Sequence, residues 1–174
     1  MPAERFVEQL NAQISHEFAA SQQYLACAVY YDTLTMPQMA GFFYRQALEE
    51  REHALMMIQY LLDRDGEVGF SATAAPFSGF DSVIAPVELA LAQEKGVTKQ
   101  IYELLRIARE ENDYAAEQFL QWFVKEQVEE EASMSDLLTV VTRNEQRVEF
   151  IEEYIARESG GGGTDATAPK AAGA

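Results

Sequence analysis

Residues 46–57 read Gln-Ala-Leu-Glu-Glu-Arg-Glu-His-Ala-Leu-Met-Met, and Glu50 and His53 in this stretch decide the fold. Apolar side chains recur on both sides of them at steps of three and four, from Phe43 to Met57, which is typical of the buried face of a helix. Because Glu50 and His53 are three residues apart, both side chains lie on that same face. The stretch therefore predicts a helix that brings a carboxylate and an imidazole into the core of a bundle.

Three other amphipathic segments also have polar residues on the apolar face near their middles. These residues are Glu17, Glu94, and Gln127 with Glu130. Residues near the centres of packed helices meet at one level whichever way the helices run, since each residue adds only about 1.5 Å of rise. An unpaired ionised carboxylate in such a core costs several kcal/mol. Four of them together predict a bound metal, and the alternative is a buried ion-pair network. No Lys or Arg lies on these faces near the carboxylates, which argues against that alternative.

Charge and ligand chemistry narrow the choice of metal. The four glutamates carry four negative charges, which two divalent cations would balance. Hard carboxylate oxygens with one imidazole suit Fe(II), Mn(II) or Zn(II). Carboxylate-rich ligation with few nitrogens also stabilises Fe(III), as oxygen chemistry at iron requires.

Helical periodicity divides the chain into four long segments and one short one, at about residues 4–32, 37–64, 86–111, 114–143 and 145–157. Pro37 suits the first turn of the second helix, and Asp65-Gly66 is a helix stop. Between residues 66 and 85, glycines and prolines break the pattern. A loop this long is unusual inside a compact domain, and a crossover along the length of a bundle explains it. Such a crossover makes the second and third helices parallel, and its phenylalanines would lie on the bundle or against a neighbouring subunit.

The sequence therefore predicts an all-α fold: a four-helix bundle with a long crossover between helices 2 and 3 and a short fifth C-terminal helix. Residues 1–157 form this domain. The Gly- and Ala-rich segment of residues 158–174 is expected to be a disordered tail.

Bulk composition excludes several classes of function. The formal net charge of −16 argues against binding to nucleic acid or to an anionic membrane, because the chain has no basic patch to neutralise phosphates. The single cysteine, Cys27, rules out an intrachain disulfide framework and a CxxC site. The apolar runs are shorter than the roughly 18 residues of a transmembrane helix, and the N-terminus lacks the layout of a signal peptide. We expect a cytoplasmic protein.

The order Glu17, Tyr24, Glu50-x-x-His53, Glu94 and Gln127-x-x-Glu130, with the long crossover and the short fifth helix, resembles the bacterial non-haem ferritins of the ferritin-like di-iron family. The resemblance covers nearly all of the chain up to about residue 157. Many di-iron bundles carry a Glu-x-x-His motif on each of two helices, whereas the fourth helix here has no second histidine.

The resemblance implies a role for each residue of the metal site. Glu17 and His53 resemble the ligands of the first iron, Glu50 resembles the bridge between the irons, and Glu94 and Glu130 resemble the ligands of the second.

Three neighbouring residues resemble those that assist the oxidation. Gln127 resembles the amide beside the second iron. Tyr24 resembles the site tyrosine, whose phenol can hydrogen-bond a ligand carboxylate and donate an electron. Trp122 is a candidate second electron donor; the alternative for both rings is that they are core aromatics.

Glu49, Glu126 and Glu129 resemble the acids that form a third iron site in bacterial members. The alternative is that they are ordinary acids on exposed helix faces. No haem is expected, because Arg51 follows the bridging glutamate where haem-containing bacterioferritins have methionine.

By resemblance, the chain is an iron-storage subunit that assembles into a hollow cage of twenty-four copies. It would oxidise two Fe(II) per subunit with O2 or H2O2 and store the product as ferric oxyhydroxide mineral. Two alternatives remain open: a ferritin-like di-iron peroxidase or oxidase that stores no mineral, and a catalytically silent storage or structural subunit.

Overall fold

The computed structural model describes residues 2–158 and 165–174, and every regular element in those ranges is an α-helix. The helices are α1 (Glu4–Thr33), α2 (Pro37–Asp63), α3 (Ala85–Glu110), α4 (Tyr114–Arg143) and α5 (Val148–Glu158). The all-α bundle with a short fifth helix is thus confirmed. None of the described helices combines the length and the apolar character needed to cross a lipid bilayer.

Three helices end in the same way, because the second residue after the helix takes a left-handed backbone conformation. Thr35, Asp65 and Asn112 have φ values of 57°, 54° and 55°. In each case the next backbone N–H reaches back to a carbonyl of the last turn, as when Gly66 N donates to Leu61 O at 2.8 Å. These caps satisfy the last carbonyls of the helix and turn the chain within three or four residues.

The helices run in the arrangement that the crossover requires. The turn at Thr35 makes α1 and α2 an antiparallel hairpin, and the turn at Asn112 does the same for α3 and α4. Arg5 at the start of α1 pairs with Glu110 at the end of α3 at 2.9 Å, so these two helices are antiparallel as well. It follows that α2 and α3 are parallel, as predicted.

The crossover between α2 and α3 runs along α1, and polar side chains of α1 hold its backbone. Asn11 donates to Glu67 O and accepts from Gly69 N, both at 2.8 Å. About three turns further along α1, Gln23 makes the same kind of paired bonds with the backbone of Phe77, again at 2.8 Å. Such paired amide bonds satisfy the backbone of a segment that has no secondary structure of its own.

The phenylalanines of the crossover differ in burial, and two of them pack on the bundle as predicted. Phe80 packs against the core and lies 5.3 Å from the ring of Tyr30, and Phe77 packs on Phe80. Phe70 remains 75% exposed in the single chain. Only part of this apolar surface is therefore buried within one subunit.

The buried interior consists of two apolar clusters with a polar layer between them. One cluster combines the first half of α1 with the second halves of α2 and α3 and the first half of α4. The other combines the opposite halves with α5. The residues between the clusters are buried and polar: Glu17, Gln46, Glu50, His53, Glu94, Gln127 and Glu130.

The C-terminal segment differs from the expected disordered tail in the part that the structure describes. Residues 159–164 lie outside the described residues. Beyond them, Ala171 is buried against the first cluster, and Ala172 N donates to Leu55 O at 3.0 Å. This C-terminal segment therefore contacts the bundle through its alanines and one backbone hydrogen bond to α2.

The left-handed caps predict a stabilising substitution. Thr35 is exposed and β-branched, so its positive φ is strained, and Thr35→Gly should raise the free energy of unfolding by roughly 1 kcal/mol. Asn112→Gly is the matched control, with a smaller gain because asparagine tolerates this conformation. Thermal unfolding of the purified variants measures both, and a larger gain at residue 112 than at residue 35 would contradict the argument.

Candidate metal centre

Glu17 of α1 and Glu50 and His53 of α2 form the centre of the polar layer. One possible ligand atom from each lies within 4.8 Å of those of the other two. His53 Nδ1 is 3.6 Å from Glu50 Oε2, and all three side chains are buried. The i, i+3 spacing on α2 thus brings carboxylate and imidazole together, and α1 supplies the facing carboxylate.

Glu94 of α3 and Glu130 of α4 complete the layer from the other hairpin. Neither belongs to the group of ligand atoms that lie within 4.8 Å of one another, but the charges of both raise the pKa of Glu50. Gln127, one turn before Glu130, donates to Glu94 Oε2 at 3.1 Å. The hydroxyl of Tyr24 donates to the other oxygen of Glu94.

Two further glutamines orient carboxylates of the layer, and neither was predicted as a site residue from the sequence. Gln13 donates to Glu17 Oε1 at 2.7 Å, and Gln46 lies 3.3 Å and 3.4 Å from the two oxygens of Glu130. Donors of this kind fix the direction of a ligand carboxylate. A signal was present, because each glutamine lies one turn before a buried glutamate, on the same helix face.

Burial controls the protonation of the four carboxylates. Loss of solvation raises the pKa of Glu17 and Glu50 well above the ordinary value, and the charge of a neighbouring glutamate raises each further. The same two causes raise the pKa of Glu130 well above its usual range. Burial also raises the pKa of Glu94, although hydrogen bonds from Tyr24 and Gln127 oppose the shift.

The donor set fits metal cations. Of the four carboxylates, Glu50 alone takes part in an ion pair among the described residues, and its partner is His53. Glu17 Oε2 is buried and has no hydrogen-bond partner, which leaves an oxygen free to bind a cation. Oxygen donors with a single imidazole match iron, manganese or zinc, and four negative charges match two divalent ions.

An acidic cavity of about 960 Å³ opens beside this centre, between α2 and α4. Its lining includes His53 and Glu130 of the centre, and Glu49, Glu126 and Glu129 from the same two helices. Glu49 and Glu129 are exposed, whereas Glu126 is half-buried and burial raises its pKa. The structure therefore brings the three additional acids to one cavity next to two residues of the centre.

Trp122 lies against the centre from the first turns of α4. Its ring is 5.6 Å from the ring of His53, edge to face, and it also lines the acidic cavity. Tyr24 contacts the centre from the opposite side, through Glu94. Two oxidisable aromatic side chains thus flank the carboxylates, as a donor role would require.

Fold and site together define a four-helix bundle that is built around a carboxylate-rich centre. The ferritin-like domain matches residues 7–144, so the chain belongs to the ferritin-like family. The predicted resemblance is thereby confirmed.

Known ferritins are similar to nearly the whole chain. It is 48% identical to ferritin BfrB of Mycolicibacterium smegmatis over 169 residues, which cover 97% of this chain and 93% of that protein. It is 40% identical to bacterial non-heme ferritin of Staphylococcus aureus over 143 residues, covering 82% of this chain and 86% of that protein. The open pore ferritin of Archaeoglobus fulgidus has the same fold, with a TM-score of 0.88 and 34% identity over 93% of this chain and all of that one.

The raised pKa values predict how the metal-free protein responds to pH. Folding raises the pKa of Glu17 above 4.5, so the folded state binds more protons than the unfolded state. The free energy of unfolding therefore falls as the pH rises from about 4.5 through the pKa of Glu17 in the folded protein. Glu17→Gln should therefore raise the free energy of unfolding of the metal-free protein by roughly 1–3 kcal/mol at neutral pH and flatten its pH dependence. The same variant should bind metal more weakly.

Thermal unfolding between acid and neutral pH, with and without added Fe(II), measures both effects. Glu8→Gln is the matched control, because Glu8 is an exposed acid of the same helix. A metal-free Glu17→Gln protein that is less stable than the parent would show that Glu17 has a structural role instead.

Proposed function

We propose that this protein is an iron-storage ferritin subunit that oxidises Fe(II) to Fe(III) at Glu17, Glu50, His53, Glu94 and Glu130. The observation that carries the proposal is the buried group of Glu17, Glu50 and His53, whose possible ligand atoms lie within 4.8 Å of one another. Glu94 and Glu130 are buried in the same layer, so all four long helices supply a carboxylate to it. Membership of the ferritin-like family and similarity to proteins named ferritin support it.

Fe(II) is the substrate, and two ions bind per subunit. Glu17 and His53 hold the first, Glu94 and Glu130 hold the second, and Glu50 bridges them from its position between the two sets. Because the glutamates bind metal as carboxylates and burial has raised their pKa values, binding releases protons. Iron affinity should accordingly weaken as the pH falls.

The neighbouring side chains orient the ligands and supply electrons. Gln13, Gln46 and Gln127 hold the carboxylates through the hydrogen bonds already described, and the Gln127 amide can also bond a water or oxygen molecule beside the second ion. Reduction of O2 to water takes four electrons and four protons. Two Fe(II) give two electrons, the Tyr24 phenol gives one with its proton, and Trp122 gives the fourth. With H2O2 as the oxidant, the two electrons of the iron pair suffice.

The acidic cavity supports the storage part of the proposal. Glu49, Glu126 and Glu129 lie beside the centre and are suited to receive a third iron or the departing ferric product. The product mineralises as ferric oxyhydroxide inside a cage of twenty-four subunits. Exposed apolar side chains such as Phe70 and Tyr114, each 75% exposed, provide surface that such an assembly would cover. The free, buried Cys27 suits the reducing cytoplasm, where we place the protein.

Anaerobic titration with Fe(II) tests the centre directly. The parent protein should bind two Fe(II) tightly per subunit, or three if the cavity acids also bind. Glu50→Ala should lose or strongly weaken both central sites because it removes the bridge. Asp63→Ala, which removes an exposed acid of the same helix that does not line the cavity, is the matched control and should bind like the parent.

Fe(II) binding that is unchanged in the Glu50→Ala protein would refute the proposed di-iron centre. Aerobic addition of Fe(II) in excess then separates the alternatives. Uptake of many iron atoms per subunit into a soluble particle supports storage, whereas oxidation that stops at two or three per subunit identifies an oxidase without mineral. Binding without oxidation identifies a silent subunit.

Tyr24→Phe tests the role of the buried phenol. It removes the hydrogen bond to Glu94 and one electron donor, so oxidation of the first two Fe(II) should slow by about 10- to 100-fold, with more H2O2 released. Tyr31→Phe is the control, because Tyr31 is equally buried but donates to Val83 O of the crossover. Stopped-flow oxidation and a peroxide assay give both readouts, and equal effects of the two variants would contradict a role for Tyr24.

A further inference from the structure

Asp165 of the C-terminal segment connects the end of the chain to Trp122. The indole Nε1 donates to Asp165 Oδ2 at 3.0 Å, and Lys125 Nζ donates to the same oxygen at 3.2 Å. Both donors lie on α4, 43 and 40 residues earlier in the sequence. The contact is therefore a product of how the C-terminal segment folds back onto the bundle.

The second oxygen of Asp165 is held within its own segment. Asp165 Oδ1 accepts from Thr167 N at 2.8 Å and from Thr167 Oγ1 at 2.6 Å. Hydrogen bonds from Thr167, and then from Trp122, hold the pKa of this carboxyl well below its ordinary value, so it is ionised. Burial of Ala171 and the bond from Ala172 N to Leu55 O secure the segment on the bundle.

Trp122 is the only tryptophan of the chain, and it connects Asp165 to the metal centre. One edge of the indole carries the N–H that meets Asp165, and the ring contacts His53 at 5.6 Å. Phe123 packs on Trp122 at 5.0 Å, edge to face. A single aromatic ring therefore separates a fixed negative charge from an imidazole of the centre.

We propose that Asp165 is a positioning residue for electron donation by Trp122. Its carboxylate holds the indole edge-on to His53 and stabilises the positive charge that Trp122 acquires when it gives up an electron. This inference rests on the proposed function, in which Trp122 supplies the fourth electron for reduction of O2 to water. The oxidised ring keeps its N–H, which remains bonded to Asp165, and the protons for water come from Tyr24 and solvent.

Lys125 does not cancel this effect. Its side chain is 56% exposed and also lies 3.8 Å from Glu129, so solvent screens its charge and a second carboxylate shares it. Most charged side chains of the cavity beside the indole are acidic, among them Glu49, Glu126 and Glu129, and they outnumber Arg45. The local field therefore favours a cation on the ring.

Two substitutions separate the hydrogen bond from the charge. Asp165→Ala removes both, whereas Asp165→Asn keeps an oxygen that can accept from Trp122 Nε1 and removes the charge. Asp136→Asn is the control, because Asp136 lines the same cavity without a described contact to Trp122. The full-length assembled protein is used throughout, and the fluorescence of the single tryptophan reports the indole environment.

Four results are expected, of which the radical yield and the peroxide release are measured after mixing with O2 and two Fe(II) per subunit. Asp165→Ala should change the emission of Trp122 and make it more accessible to a neutral quencher, while Asp165→Asn should resemble the parent in both. The yield of transient tryptophan cation radical, seen by electron paramagnetic resonance on rapidly frozen samples, should fall about three- to tenfold in both variants. Peroxide release should rise in both, and anaerobic Fe(II) binding should stay unchanged.

The proposal is overturned by a parent protein that forms no tryptophan radical, by an Asp165→Ala protein with parental radical yield, or by full recovery of that yield in Asp165→Asn. Unchanged fluorescence in Asp165→Ala would overturn the contact itself. Failure of the proposed function looks different, because the parent protein would then bind or oxidise no Fe(II), whatever residue occupies position 165.

Discussion

The burial of four carboxylates at one level of a helix bundle is the constraint on which the rest of the structure depends. Each carboxylate loses its hydration, and their mutual repulsion adds to that cost, so the metal-free bundle carries a destabilised centre. Hydrogen bonds from Gln13, Gln46, Gln127 and Tyr24 offset part of it and point the oxygens inward. The two apolar clusters above and below supply the packing that tolerates such a layer.

The same constraint explains the connectivity. The layer needs a carboxylate from each of the four long helices, so two hairpins must face each other at a fixed level. The crossover sets that relation, because it makes α2 and α3 parallel and is held along α1 by Asn11 and Gln23. Its role is comparable to that of a packed helix, although it contains no regular structure. Side chain–backbone bonds take the place of a helix's own hydrogen bonds.

Polar groups outside the layer are distributed unequally around it. On the α2–α4 side, an acidic cavity, Trp122 and the C-terminal segment lie together. On the α1–α3 side, Tyr24 is buried between the carboxylates and the second cluster. In the proposed function, Fe(II) and its product therefore have an acidic side that is open to solvent, and one candidate electron donor lies on each side of the centre. The end of the chain takes part in this arrangement through Asp165.

The sequence by itself determined the helices, their order and the residues of the polar layer other than Gln46, because these depend on local periodicity and on steps of three and four. Glu17, Glu50 and His53 stand out on their own faces, and the structure brings them together as the spacing predicts. Helix ends were predictable to within about three residues, from Pro37 and Asp65-Gly66. Only the tertiary structure decided which donor meets which carboxylate, such as Gln46 with Glu130 or Tyr24 with Glu94. It also decided that Asp165 meets Trp122. Those pairs join residues 43 to 84 positions apart, and their geometry follows from the packing of whole helices, which no local pattern encodes.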